Sequence, residues 1–266
     1  MSSLQPPTAL VTGASSGIGK ALALALAAKG YRVFGTSRRP DSLPAPLLPL
    51  ALDAASKADL HRFISTHGQL LTELDVLVNN CGSSLYGDVT RWDPEAIEGS
   101  LRLLLEAPVL LTRVALEGMR SRGRGAIVNV SSLAGEFPLP YMSVYSGAKA
   151  GLSAFTQSLM LTEKRAEIQL IDFQPGDYRT AFNERMGQPE ALDEQERRTW
   201  QILERNCDRG PEAERAAADI IRAIEGGRSE VVRSGTLFQR AVAPFGKRLT
   251  SAGLRRRLMR WLYRIR

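Results

Sequence analysis

The sequence predicts an α/β fold in which a parallel sheet is covered on both faces by helices. Three observations predict it. Short apolar runs of strand character alternate with helix-patterned stretches along most of the chain, as in consecutive βαβ units. A glycine-rich turn follows the first of these runs and opens into an Ala/Leu-rich helix. The 266 residues, 44% hydrophobic and 24% charged, suit one sizeable core better than two small ones.

The elements follow in order. Residues 8–12 read as the first strand, and the turn at 13–19 leads into a helix ending near Gly30. Residues 31–36 and 48–52 are the second and third strands, 57–67 a helix, and 74–78 the fourth strand. A long helix covers 93–120, with Pro94 in its first turn, where a missing N–H is tolerated. Residues 126–131 form the fifth strand, 144–162 a helix, 168–173 the sixth strand, 211–224 a helix and 230–233 the last strand. The polar stretch 177–206 reads as an inserted loop with a helix. Residues 1–246 are therefore expected to be a single domain, and 247–266 a separate basic helix.

Composition excludes several classes. No run approaches the roughly 18–20 apolar residues of a membrane-spanning helix. Residues 1–7 have neither a basic segment nor an apolar run, so no cleaved leader is expected. Cys81 and Cys207 make no disulfide framework and point to a reducing cytoplasm. With His61 and His67 the sole histidines and no CxxC pair, no metal site is expected. The formal net charge is +7, but Lys247, Arg248, Arg255, Arg256, Arg257, Arg260, Arg264 and Arg266 place eight cations and no acid in residues 247–266. The rest is close to neutral, so the bulk charge is not read as a nucleic-acid signal.

The turn Gly13-Ala14-Ser15-Ser16-Gly17-Ile18-Gly19 carries the first chemistry. Glycines let backbone N–H groups approach a pyrophosphate, and the helix start adds partial positive charge. Its spacing is GxxxGxG, and its place in the first βα unit assigns it to a dinucleotide. The second strand ends at Ser37-Arg38-Arg39 with no acid to hold a ribose 2′-hydroxyl. Arg38 suits a 2′-phosphate instead, which favours NADP(H).

The TGASSGIG run at 12–19, the Asn79-Asn80-Cys81-Gly82 segment, Ser132 and Tyr145-Ser146-Gly147-Ala148-Lys149 stand in an order and spacing that resembles the short-chain dehydrogenase/reductase family. The resemblance spans about residues 8–232. It implies a Rossmann-type three-layer αβα sandwich with a mostly parallel, seven-stranded sheet, and a homodimer or homotetramer. It also implies cofactor contacts from Asn80 and Gly82 near the adenosine, Asp53 at the adenine amino group, and Pro175, Gly176 and Thr180 at the nicotinamide end.

Tyr145 and Lys149 lie four apart on a helix, so their side chains leave one face. An ammonium beside the phenol is expected to lower its pKa and fit Tyr145 to act as acid in carbonyl reduction or base in alcohol oxidation. Ser132, after the fifth strand, is placed to hydrogen-bond the substrate oxygen. Lys149 also meets the nicotinamide ribose, and hydride transfer belongs to the nicotinamide. Tyr178, Phe182, Met186 and Trp200 offer apolar contacts to a hydrophobic substrate. One family residue is missing: a proton-relay Asn falls by spacing on Leu104. The relay is then rerouted, with Glu106 and Ser100 as weak stand-ins, or turnover is reduced to the level of an NADP(H)-binding sensor or interaction protein. Cys81 replaces the family's usual Ala and reads as a small residue packed against the cofactor.

From Ser251 on, Leu254, Leu258, Trp261, Leu262 and Ile265 recur at helical spacing with arginines between them. Such an amphipathic cationic helix caps the cleft or packs on a second subunit, lies on an anionic membrane surface, or, as the least favoured alternative, meets nucleic acid.

Overall fold

A computed structural model describes residues 5–182, 186–188 and 191–265, with the side chains of Lys247 and Arg248 outside the described set. Parts of the inserted segment 177–206 and Arg266 therefore lie outside the described residues.

Seven parallel strands form one sheet in the order β3-β2-β1-β4-β5-β6-β7. They are β1 (Thr8–Val11), β2 (Arg32–Ser37), β3 (Leu48–Ala51), β4 (Val76–Asn79), β5 (Gly125–Val130), β6 (Ile168–Pro175) and β7 (Glu230–Ser234). The central strands are apolar on both faces, as a parallel sheet buried between helices requires. Side chains alternate between two cores. Ala9, Val11, Val76, Val78, Val128 and Phe173 face α1 (Gly17–Ala28) and α7 (Ala213–Glu225). Leu10, Leu77, Ile127 and Leu170 face α2 (Lys57–Glu73) and α4 (Ala107–Arg122). This is the expected αβα sandwich.

The helices depart from expectation in three places, each for a local reason. The helix at 57 runs on to Glu73 through a kink at His67 (φ −109°, ψ 17°), next to Gly68. The expected single helix over 93–120 is α3 (Pro94–Leu101), a π turn (Arg102–Glu106) and α4. Pro108 explains the break: it has no N–H to give to the carbonyl four residues back, at Leu104, and its ring crowds that carbonyl. Beyond α5 (Ser143–Thr162) and α6 (Glu194–Asp208), the basic segment begins earlier than residue 247. A π turn (Phe238–Val242) leads into α8 (Ala243–Leu249), and α9 (Ala252–Leu262) starts where the Ser251 hydroxyl accepts from the Leu254 N–H.

All strands run the same way, so their C-terminal ends share one edge, where ligands of open α/β sheets bind.

Candidate active site

A cleft of about 1110 Å³ opens along that edge, running from the 13–19 turn past Asn80, Ser132, Tyr145 and Lys149 to α9. Each residue of the turn except Ala14 lines it. Gly13 has φ +68° and Gly17 φ +53°, a left-handed backbone that other residues adopt only with strain. A Cβ on Gly19 would stand 2.3 Å from the Asn80 amide nitrogen and 2.4 Å from the Gly13 carbonyl oxygen, so only glycine fits. Asn80 clamps the turn: its Nδ2 donates to the Thr12 carbonyl (2.9 Å), while Thr12 Oγ1 accepts from the N–H groups of Asn80 and Cys81. The open turn, with the start of α1 behind it, fits the phosphates of a dinucleotide. Ser37, Arg38 and Asp53 line the same end. Arg38 is exposed at the rim and takes part in no ion pair among the described residues.

The catalytic candidates converge as the spacing requires. Ser132 follows β5, and its Oγ accepts from the Ala134 N–H (3.0 Å). Tyr145 and Lys149 sit on α5 at 9% and 4% exposure, with Lys149 Nζ 5.9 Å from the centre of the Tyr145 ring. Burial pushes the Tyr145 hydroxyl up to about 12, opposed by a hydrogen bond with Ser132. Burial also lowers Lys149 to about 8. The expected depression of the tyrosine pKa is thus reversed. The lysine ammonium donates to the Val130 carbonyl (2.6 Å) and not to the phenol, so desolvation governs the phenol.

Behind the site lies a polar network that sequence reasoning missed. Asp172, fully buried on β6, accepts from Ser153 Oγ (2.6 Å) and Gln174 Nε2 (2.8 Å) and also bonds Ser131. It ties α5 to the sheet and so fixes where Tyr145 and Lys149 point. Its signal was an acid flanked by Ile171 and Phe173 in a strand-like run.

The other candidate residues either line the cleft around this centre or pack away from it. Gly82 lines the cleft beside Lys149: a Cβ there would be 3.9 Å from Lys149 Nζ and 3.5 Å from Leu104. Thr180 stands against Gly17, where an added Cβ would be 3.4 Å from the Thr180 side chain, and Pro175, Gly176 and Thr180 all line the cleft. Tyr178 touches the cleft, but its ring packs in the main core and its hydroxyl bonds Ser234, which makes it a brace. Phe182 and Met186 line the cleft, with the Phe182 ring 5.7 Å from that of Tyr145. Trp200 instead packs edge-on against Tyr86, 4.8 Å away, outside the cleft. Leu104 is fully buried in the π turn. Of its suggested stand-ins, Glu106 pairs with Arg102 (3.4 Å), Ser100 is buried, and neither lines the cleft. Cys81 lines the cleft with its thiol pKa raised by burial, which agrees with a packing role and not a reactive one.

The substrate end also gathers residues no motif announced. Asp177, Cys207 and Tyr263 line it, and all three bear on the Tyr145 environment or on each other. Gln239 Nε2 donates to Asp177 (2.6 Å), and burial raises the Asp177 pKa.

Fold and site together define a dinucleotide-binding α/β oxidoreductase. The profile of the short chain dehydrogenase family matches residues 7–191, and the chain belongs to that family, whose fold binds a nicotinamide cofactor. A 3-ketodihydrosphingosine reductase of Bacteroides thetaiotaomicron is 29% identical over 230 residues, covering 83% of this chain and 84% of that one. A short-chain dehydrogenase from Streptomyces avermitilis superposes with a TM-score of 0.79 at 27% identity, covering 98% and 97% of the two chains. One from Sphingobium yanoikuyae, solved with NADPH, gives 0.73 at 25% identity and covers 95% of each.

Proposed function

We propose that the protein reduces the carbonyl of an apolar substrate with NADPH, or runs the reverse oxidation, with Tyr145 as the acid/base. The single observation carrying this reading is the convergence of Ser132, Tyr145 and Lys149 on a cleft that also holds the 13–19 turn. The bound nicotinamide would supply the hydride. Ser132 and Tyr145 would hold the substrate oxygen, and the Tyr145 proton would pass to it as the alkoxide develops. A phenol held at about 12 is protonated at neutral pH, which suits it to donate. Lys149 would bind the nicotinamide ribose and help return the proton.

Arg38 supports NADP(H), since it is exposed at the rim and free of ion pairs among the described residues. The NADPH-bound relative points the same way. Met142, Phe137, Leu139, Phe182, Met186 and Leu203 line the reacting end and support an apolar substrate. The relative named a 3-ketodihydrosphingosine reductase supports a ketone.

The test is consumption of NADPH and of NADH with a panel of apolar ketones, aldehydes and quinones. NADPH-selective turnover is expected, with a loss of about 10²–10⁴ on Tyr145→Phe. Turnover that survives Tyr145→Phe contradicts the reading.

Leu104 favours a second reading, an NADP(H)-binding protein of slight activity, because an apolar side chain stands beside Gly82 where the family's relay Asn is expected. Leu104→Asn is expected to raise kcat about threefold, a small part of what a proton-transfer group supplies. An unchanged kcat removes the relay argument, and parent turnover no faster than that of Tyr145→Phe establishes the second reading.

A further inference from the structure

The described residues leave thirteen large apolar side chains exposed, and nine of them fall between Leu237 and Leu262. Trp261 is 76% exposed, Leu249 72% and Phe245 64%. A patch of this kind marks an interaction surface, since scattered exposure would not concentrate in one segment. The same segment is cationic: residues 231–266 contain no Asp or Glu at all. Arg256, Arg257 and Arg260 are exposed along α9 and line one shallow concavity on it.

The helix α9 therefore has three sides and not the two its sequence suggested. Met259 and Tyr263 pack into the cluster at the substrate end of the cleft. Leu254, Leu258, Trp261 and Leu262 form an exposed apolar stripe beside them, and the arginines take the remaining arc. Leu258 and Leu262 belong to both surfaces, as do Phe238 and Val242 before α8, for all four are exposed and all four line the cleft. The apolar patch is thus the outer face of the cleft wall.

We propose that this segment seats the protein on an anionic lipid bilayer, with the mouth of the cleft turned to the lipid, so that the carbonyl substrate is a lipid drawn from the membrane. Charge selects this occupant. A second copy would set arginines against arginines with no acid in the segment to meet them, and nucleic acid would leave the Leu/Trp stripe without a partner. An anionic bilayer answers both, with headgroups for the arginines and acyl chains for the stripe. Eleven residues of α9 reach about 16 Å, short of the roughly 30 Å of a hydrocarbon core, so the helix lies along the surface. Among the described residues no helix is long and apolar enough to cross a membrane.

The seating stands by itself; the lipid substrate rests on the oxidoreductase reading, and the experiment separates the two. The full chain is sedimented with vesicles of phosphatidylcholine alone and of phosphatidylcholine with phosphatidylglycerol. Two variants are compared: Phe245→Ser with Leu249→Ser and Trp261→Ser, and Arg256→Gln with Arg257→Gln and Arg260→Gln. None of these six side chains lines the cleft. The parent protein is expected to bind the anionic vesicles, and each variant to bind them more than about tenfold more weakly. Both variants should reduce a water-soluble ketone within about twofold of the parent rate, yet lose turnover of a long-chain ketone carried in the vesicles.

Parent protein that stays in the supernatant, or variants that bind as well as the parent, overturn the seating. A patch that instead holds two copies together, shown by a parent dimer that the serine variant breaks while vesicles go unbound, overturns it too. If vesicles are bound but neither ketone is reduced, the oxidoreductase reading fails and the seating remains. If the variants lose the vesicles but keep the vesicle-borne ketone, the lipid supply fails.

Discussion

The two walls of the cleft are built by different rules. One is carried by the sheet: the 13–19 turn after β1, Asn80 after β4, Ser132 after β5, and Tyr145 and Lys149 on a helix tied to β6 through Asp172. The other is helical and formed late in the chain, from Asp177, Leu203 on α6, Phe238 and Val242, and Leu258, Met259, Leu262 and Tyr263 of the last helical segment. The sheet wall is fixed by parallel hydrogen bonding and by close approaches that admit only glycine. The helical wall is held by side-chain packing, with exposed apolar groups on its far side. On the proposed function, chemistry would need the first kind of precision and substrate choice would fall to the second, where packing can change without disturbing the sheet.

Breaking the sheet wall should cost the most. Gly19→Ala puts a methyl into the Asn80 amide and the Gly13 carbonyl, so cofactor affinity should fall by about 10²-fold for every substrate alike. Fluorescence titration with NADPH measures it, and near-parent affinity would mean that the turn does not hold the phosphates.

Lys149 gives the next effect. With its pKa near 8, the ammonium is present below that pH and lost above it. The kcat/KM for carbonyl reduction should be flat on the acid side and fall about tenfold per pH unit on the alkaline side. Tyr145, at about 12, stays protonated through that range. Alcohol oxidation, which needs the phenolate, should keep rising beyond the ordinary tyrosine value of about 10. Lys149→Arg keeps its charge and should remove the alkaline fall, whatever its effect on the plateau. A fall that persists in Lys149→Arg assigns the titration elsewhere.

The helical wall should respond more weakly and more selectively. Phe182→Ala is expected to raise KM for bulky ketones about fivefold, with kcat for small ones nearly unchanged, as loss of one apolar contact predicts. A uniform fall in kcat would place Phe182 with the chemistry and dissolve the contrast between the walls.

The same contrast explains what the sequence could reveal. Gly13, Gly17 and Gly19 were legible because each backbone demand admits one residue type, and Tyr145 and Lys149 because a helix turns a spacing of four into one face. The alternation of strands and helices disclosed the seven-stranded parallel sheet, with most element ends within two residues of those expected. The break at Arg102–Glu106 was signalled by Pro108, but the strong helical pattern on both sides masked it. That Tyr263, Asp177 and Cys207 line one cleft left no local trace, since it depends on how α6 and α9 pack. Trp200 misled for the converse reason: a large aromatic in a substrate segment can as well pack against another ring, here that of Tyr86. The Tyr145 pKa was misjudged because charge spacing is visible in a sequence and burial is not.

Hydride delivery to a carbonyl, with Tyr145 supplying the proton, can be followed by deuterium transfer. A single turnover would use NADPH carrying deuterium at the transferring C4 position, with an apolar ketone and mass analysis of the alcohol formed. The parent protein should place one deuterium on the carbinol carbon, with a rate of label transfer lower by about 10²–10⁴ in Tyr145→Phe. Label that never reaches the alcohol, or that reaches it equally fast in the variant, would contradict it.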